Sequence, residues 1–326
     1  MNIFNGVLFR APSREELVEW SSRSGNESFV DDLLTFLLQC PERQEILADR
    51  RNMLFRPGHY YSPIVDVESV RHLYSSNDIP TSLLDIDINQ QRMQSTWKSL
   101  SVYFDIEFPL NKVNERKYYS NNRRFGIGDA GVLHAMLSLF RPKKFVEIGS
   151  GFSSAVLIDL VEEGGLDCLT DVVFIDPFPT ILNSSIGVPS SDKYRVIEKP
   201  VQFAPVEIFA SLNEGDFLFI DSTHVLKTGS DVCYELFDIL PSLRKGVMIH
   251  FHDIFWPFEY PEAWVIKENR SWNELYAIRA LLSNNRNYEI VFFNDYFFKH
   301  CREDVLRDFP AMASNAGGSL WLRKLV

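Results

Sequence analysis

Two short runs in the second half of the chain bring together side chains that can take, hold or give a proton. One is Asp221-Ser222-Thr223-His224 and the other is His250-Phe251-His252-Asp253. An imidazole has an unperturbed pKa of about 6.5, which suits His224 to draw the proton from a poorly nucleophilic hydroxyl. Lys227 is a nearby alternative base. Each of these residues also has a plain structural use. Asp221 can cap a turn, and His252 and Asp253 can hydrogen-bond to each other. His250, inside an apolar run, reads as a satisfied core histidine.

A second constellation lies upstream. Glu147-Ile148-Gly149-Ser150-Gly151-Phe152-Ser153-Ser154 follows an apolar run and precedes a helical one. Glycines there permit a tight turn and close backbone approach to a ligand. A dinucleotide fingerprint wants a third glycine, and that position is Ser154, so a pyrophosphate at the helix start is disfavoured. Asp176 ends the next apolar run, near the roughly 20-residue spacing of an acid that accepts hydrogen bonds from ribose hydroxyls. Its structural alternative is a turn aspartate before Pro177.

Short apolar runs alternate with helical segments from residue 144 onward. Strands are predicted at 144–148, 172–176, 194–197, 216–220, 246–251, 288–293 and 319–322. Helices are predicted at 153–161, 229–240 and 271–282, the last opened by Ser271-Trp272-Asn273-Glu274 as a capping box. The pattern implies an α/β fold with a parallel sheet covered on both faces, and such sheets bind ligands beyond the carboxyl ends of their strands. Every constellation above falls at such an end. Upstream, the periodicity predicts helices over 13–51, 89–104 and 129–140, with Asn121, Asn122, Gly126 and Gly128 marking a boundary. The aromatic run 292–298 reads as sheet core plus an edge. The loop 256–261 is apolar for a surface turn and reads as a wall of an acceptor pocket or a subunit contact.

The glycine loop, the acid after the second strand, and the runs GDFLFIDSTH (215–224) and LRKGVMIHFHDI (243–254) resemble class I methyltransferases. The nearest likeness is to the small-molecule O-methyltransferase-like group called methyltransferase domain 24, and it covers residues 119–326. The resemblance implies a Rossmann-like seven-stranded sheet with the last strand antiparallel and S-adenosylmethionine as cofactor. Gly149, Ser150, Gly151 and Ser153 would line the methionine moiety, with Ser153 where many relatives carry glycine. Glu147 would reach the ammonium through water, Asp176 would hold the ribose, Val201 and Gln202 would border adenine, and Asp221 would close the site. The later run also resembles catechol-type O-methyltransferases, which bind magnesium here. Carried over, the metal ligands would be Asp221, His252 and Asp253. The imidazole departs from that pattern and suits manganese or iron better than magnesium. A lysine base in those relatives falls at the place of His224.

The resemblance therefore implies methylation of a small hydroxylated acceptor, such as a sugar or glycosylated metabolite, assisted by a divalent cation, magnesium or manganese. A nicotinamide-dependent oxidoreductase and a non-catalytic binding module with a retained fold are the alternatives. Lys plus Arg total 33 against 44 Asp plus Glu, a net charge of −11, which argues against nucleic acid as a partner. No run is long and apolar enough to span a bilayer. Four scattered cysteines without a CxxC pair, and no signal-peptide pattern, lead us to expect a reduced, cytoplasmic protein. A homo-oligomer is compatible with the sequence. Residues 1–118 are expected to form a mainly helical region. Its loop Arg56, His59, Tyr60, Tyr61 and Ser62 reads either as a lid over the acceptor or as an aromatic connection packed on the core.

Overall fold

Runs in which nearly every residue is apolar fit strands that are covered on both faces, because neither set of alternating side chains can face water. The computed structural model describes Leu33, Phe55, residues 57–75 and residues 78–326. The chain divides into two units, Met1–Leu73 and Tyr74–Val326. The helix expected over 13–51 (apart from Leu33, which is helical) and Arg56 lie outside the described residues.

In the first unit, the backbone N–H of Gly58 donates to the Ile64 carbonyl at 3.0 Å and closes a small loop. Phe55, His59, Tyr60 and Tyr61 pack ring on ring, with His59 4.6 Å from Phe55 and 4.5 Å from Tyr60. Tyr60 and Tyr61 are 82% and 64% exposed.

The second unit holds one seven-stranded sheet in the order β3-β2-β1-β4-β5-β7-β6. The strands are β1 Lys144–Ile148, β2 Asp171–Ile175, β3 Tyr194–Ile197, β4 Phe217–Ile220, β5 Met248–Phe251, β6 Tyr288–Phe293 and β7 Leu320–Lys324. β1 to β5 pair in parallel, and β7 lies antiparallel between β5 and β6. The order reverses between β1 and β4. Right-handed crossovers therefore place the helices on opposite faces to left and right of that point and leave a crevice at the carboxyl ends of β1 and β4.

The helices are α1 Gln90–Leu100, α2 Ile127–Phe140, α3 Phe152–Glu162, α4 over residues 231–242, α5 Glu274–Leu282, α6 Asn294–His300 and α7 Arg302–Asp308. α4 contains a π turn at Glu235–Ile239. α2 and α3 are apolar around most of their circumference and pack together, so both are core helices rather than amphipathic covers.

The compact unit that holds the sheet spans Tyr74–Val326 and takes in α1, which buries Met93, Trp97 and Leu100 along one stripe and packs on β6. Two expectations are corrected. Residues 292–298 are not sheet core plus an edge, because β6 stops at Phe293 and α6 follows. The rings of Phe293, Tyr296 and Phe297 recur at helical spacing and all face inward. The 256–261 loop is not a surface wall. Trp256, Phe258 and Tyr260 are buried, and Trp256 packs 4.9 Å from Tyr296 and donates its indole N–H to the Pro80 carbonyl.

Trp97 is the side chain that joins α1 to this unit. Its ring lies 4.8 Å from Phe297 and 4.6 Å from Phe104, and its indole N–H donates to Asp308 at 2.8 Å. Trp97→Ala should cost about 3–5 kcal/mol, read by urea denaturation. A loss under about 1 kcal/mol would mean that α1 is an appendage to the sheet.

Candidate active site

The crevice at the switch point is set by one close approach. Gly149 has φ +78°, and a Cβ there would lie 1.8 Å from the Asp221 carbonyl oxygen. No other residue fits, on grounds of both backbone and space. The Asp221 N–H donates to the Ile148 carbonyl at 2.9 Å, so the loops leaving β1 and β4 are stitched together. Gly151 differs: a Cβ there meets nothing within 4 Å. The fold does not demand glycine at that position, which faces the cavity.

Two cavities meet at Gly149, Asp176 and Asp221. The smaller, about 450 Å³, is lined by apolar groups including Ile175, Pro177, Val201 and Val225, and by Gln202 and Lys227. The larger, about 1020 Å³, takes in Ser150, Gly151, Ser153, His224, His252 and Asp253. Asp176 borders both. One of its carboxylate oxygens accepts from the Ser150 N–H at 3.1 Å and the other from the Phe178 N–H at 2.7 Å. Each oxygen keeps a lone pair for a ligand hydroxyl.

Glu147 is not placed as expected. It is fully buried beneath the loop and lines neither cavity. One carboxyl oxygen accepts from the Ser153 hydroxyl at 2.6 Å and the other from the Ser154 hydroxyl. Burial pushes its pKa up to about 8, against the pull of those serines. Its role here is to fasten the first turn of α3 to β1. Lys227 also departs from expectation. It borders the smaller cavity and is not brought to the side-chain cluster that fills the floor of the larger one.

That cluster comprises Asp221, His224, His252 and Asp253. The His224 Nε2 lies 3.5 Å from Asp221 and 3.4 Å from Asp253, and the His252 Nε2 lies 3.5 Å from Asp253. Donor atoms of Asp221, His252 and Asp253 all fall within 4.8 Å of one another. Donors on one ion stand roughly 3 Å apart when adjacent and about 4.4 Å apart when opposed, so a small contraction would close this set on a divalent cation. Burial at the cavity floor raises the Asp221 carboxyl, with Asp253 adding to it and the two histidines opposing. Burial disfavours the His252 cation, yet Asp221 and Asp253 outweigh it and raise that pKa. His250 lies outside the cluster, stacked 3.8 Å from Phe219 and bonded to Ser319 at 2.9 Å. Burial keeps it neutral.

The residue that orients His224 was misread in the sequence. Ser271 to Glu274 does not form a capping box. α5 has Asn273 at its N-cap position with no side-chain cap bond, because both polar side chains are used elsewhere. Asn273 accepts from the Leu226 N–H at 2.6 Å and donates to the Leu226 carbonyl. Glu274, 1% exposed, places Oε2 2.8 Å from the His224 Nδ1. The His224 carbonyl in turn accepts from the N–H groups of Asn273 and Glu274, both at 3.1 Å. Burial alone would depress the imidazole pKa. The hydrogen bond and charge of Glu274, with Asp253 and Asp221, overcome it and lift His224 to about 9. The ordinary imidazole value assumed from sequence therefore does not hold, and His224 carries its proton at neutral pH.

A strap over residues 117–125 lies above the larger cavity. Asp159 on α3 accepts from the N–H groups of Lys117 and Tyr118 at 2.9 Å each. The Tyr118 hydroxyl donates to the Phe125 carbonyl, and the Asn122 side-chain oxygen accepts from the Arg124 and Phe125 N–H groups at 2.8 Å. These bonds hold Phe125 5.2 Å from the His252 ring and set Arg123 and Arg124 on the cavity wall.

Gly149→Ala should lose more than about 2 kcal/mol of stability, since a left-handed alanine costs roughly 1–2 kcal/mol before the backbone clash is counted. Gly151→Ala should stay within about 0.5 kcal/mol of the parent in the same denaturation experiment. Equal losses at the two positions would contradict the geometry. For His224, the raised pKa means that its contribution to stability is complete below the unfolded value of about 6.5 and is lost as pH rises through about 9. In Glu274→Gln the ring should titrate at least one unit lower by NMR, and the stability lost between pH 6.5 and 9 should shrink. An unmoved titration would show that Glu274 does not govern the imidazole.

Residues 146–254 match the model of a family described as a methyltransferase domain. An uncharacterized protein of Archaeoglobus fulgidus is 30% identical over 171 residues, which are 49% of this chain and 75% of that protein. Among solved structures, the SAH-bound methyltransferase PaMTH1 of Podospora anserina is similar at 15% identity. It covers 79% of this chain and 94% of its own at a TM-score of 0.38. The O-methyltransferase of Bacillus cereus in complex with SAH is similar at 15% identity, covering 68% and 86% at a TM-score of 0.36. The matched segment spans β1 to the end of the His252-Asp253 turn, which contains the crevice and the cluster. The chain therefore belongs to the methyltransferase family whose model it matches.

Proposed function

We propose that this enzyme methylates a hydroxyl of a small acceptor, such as a sugar or glycosylated metabolite, bound in the larger cavity. The observation that carries this reading is the Asp221, His224, His252 and Asp253 cluster on the floor of that cavity, one glycine away from the Asp176 crevice. The adenosine would occupy the smaller, more apolar cavity beside Val201 and Gln202, with its ribose on Asp176. Gly151 and Ser153 would border the methionine portion. In-line displacement at the sulfonium carbon needs the acceptor oxygen aligned with the methyl group, and a walled cavity supplies that alignment.

A hydroxyl attacks poorly until its proton leaves. The His224 Nε2 faces Asp221 and Asp253 on the lining of the larger cavity. With Glu274 keeping the proton on Nδ1, the imidazole must first lose the one on Nε2, so we expect activity to rise as pH climbs toward 9. Asp221, His252 and Asp253 fit a divalent cation by donor set and spacing, with the imidazole favouring manganese or iron over magnesium. Such an ion would lower the pKa of a hydroxyl bound beside it. The partner is then a small molecule, and cytoplasmic reduced conditions suit the unpaired thiols of Cys168, Cys233 and Cys301. Among the described residues no helix is long and apolar enough to cross a membrane.

Calorimetry with S-adenosylhomocysteine should give a dissociation constant in the micromolar range, and Gly151→Ala should weaken it by about tenfold, equivalent to 1.4 kcal/mol. Silence at high micromolar ligand would remove the cofactor assignment. Manganese should bind the parent protein and fail to bind Asp253→Ala. Equal binding by both would remove the metal assignment and leave methyl transfer standing.

A further inference from the structure

One wall of the larger cavity is built from a residue type that methyl transfer does not itself require. The Arg270 guanidinium lies 4.2 Å from the ring centre of Trp264 and 4.7 Å from that of Trp272. Trp272 in turn lies 4.5 Å from the His224 ring. The cation is thus one indole removed from the cluster. The backbone fixes its approach: Asn269 adopts φ +51°, and the Arg270 N–H donates to the Trp264 carbonyl at 2.9 Å. Glu268 takes the Nε and one Nη2 hydrogen on a single oxygen, each at 2.6 Å. The Nη1–Nη2 edge, which matches the two oxygens of a carboxylate or phosphate, has no partner among the described residues.

Arg123 and Arg124 line this cavity as well, and among the described residues neither has a carboxylate within ion-pair distance. Three arginines thus share the lining with the acids Asp176, Asp221, Asp253 and Glu268, and of those acids only Glu268 is paired with one of the three. Arg123 sits there with φ +62°, a backbone cost met by the Asn122 bonds that fix the strap. A neutral sugar would gain from the indoles alone. It would leave an oriented, stacked guanidinium fork unused.

We propose that the hydroxyl-bearing acceptor also carries an anionic group, a carboxylate or a phosphate, received by the Nη1–Nη2 edge of Arg270. This rests on the reading of the larger cavity as the acceptor site. The guanidinium, packed against two indoles that meet edge to face, loses little freedom on binding an anion, and an ammonium could not replace it.

The test uses the full chain saturated with S-adenosylhomocysteine and titrated calorimetrically with matched probes. Glucuronate and glucose 6-phosphate are compared with glucose, and 3-hydroxybenzoate is compared with phenol. At least one anionic probe should bind tenfold or more tightly than its neutral counterpart, and which one it is distinguishes carboxylate from phosphate. Arg270→Gln should reduce that preference to within twofold, Arg270→Lys should fall between, and S-adenosylhomocysteine affinity should stay within twofold in both, which also reports intact folding. The proposal is overturned if no pair shows a preference, including the case where nothing binds, or if the preference survives Arg270→Gln. It is equally overturned if Arg270→Gln weakens S-adenosylhomocysteine tenfold, because the fork would then serve the cofactor's own carboxylate. Absence of S-adenosylhomocysteine binding to the parent is a separate failure, seen before any probe is added. It would overturn the underlying site reading and this inference with it.

Discussion

The backbone contact between Gly149 and the Asp221 carbonyl governs the rest of the site. β1 and β4 are neighbours in the sheet although β2 and β3 intervene in sequence. Their exits must diverge to opposite faces, and the gap they leave is where a ligand can enter. With an ordinary residue at 149 the two exits could not touch. The crevice would widen, and Asp221 would no longer stand between the smaller cavity and the larger one. The contact thus divides one opening into a compartment suited to a nucleoside and another suited to an acceptor, with Asp176 and Asp221 shared at the boundary.

Three strained residues border the larger compartment. Arg123, His224 and Asp253 all have left-handed backbones without being glycine, at φ +62°, +61° and +57°. Each is held by neighbours that contribute nothing to chemistry. The Asn122 side chain bonds both sides of Arg123 in the strap. The first turn of α5 holds the His224 carbonyl, and the Ile254 N–H pins the turn after Asp253 to the Gly318 carbonyl at 2.8 Å. An unconstrained chain would relax each residue by roughly 1–2 kcal/mol, so the surrounding bonds must exceed that to keep the side chains aimed into one space.

Much of this could be read from sequence because it rests on periodicity. Apolar runs without alternation gave the parallel strands, and the glycine pair and Asp176 fell at strand ends where the topology puts ligands. What escaped was decided by tertiary contact. Glu274 sits where a capping box would put it, yet the nearby His224 is a stronger partner than a backbone N–H, so local propensity lost to a buried pair. Phe293, Tyr296 and Phe297 are compatible with either a strand or a helix, and burial of Asn294 against Gly128 and Ala316 decided for the helix. Lys227 is only three residues from His224, but the 224–230 loop turns it toward the smaller cavity. Glu147 precedes the glycine loop in sequence and lies beneath it in space, where its two oxygens meet serines rather than a ligand.

The acids at the floor and the arginines at the rim produce a gradient of potential across a single cavity, and the proposed reaction uses both ends. The donor is a sulfonium cation and its product a neutral thioether. Asp221 and Asp253 therefore attract the reactant cofactor more than the spent one, in a pocket where water screens the interaction less than at the surface. An acceptor hydroxyl gains negative charge when its proton leaves, and that charge and the sulfonium's would cancel together as the methyl moves. A floor that was acidic alone would oppose the deprotonation. His224, which would take that proton, and His252, raised by the same two aspartates, would offset the acids at that stage. Arg270 lies one indole farther out, across Trp272 from His224. On the proposed reading it would fix an anionic acceptor without neutralising Asp221 and Asp253, and the Trp272 indole would keep the acceptor's anion and the sulfonium cation in fixed order.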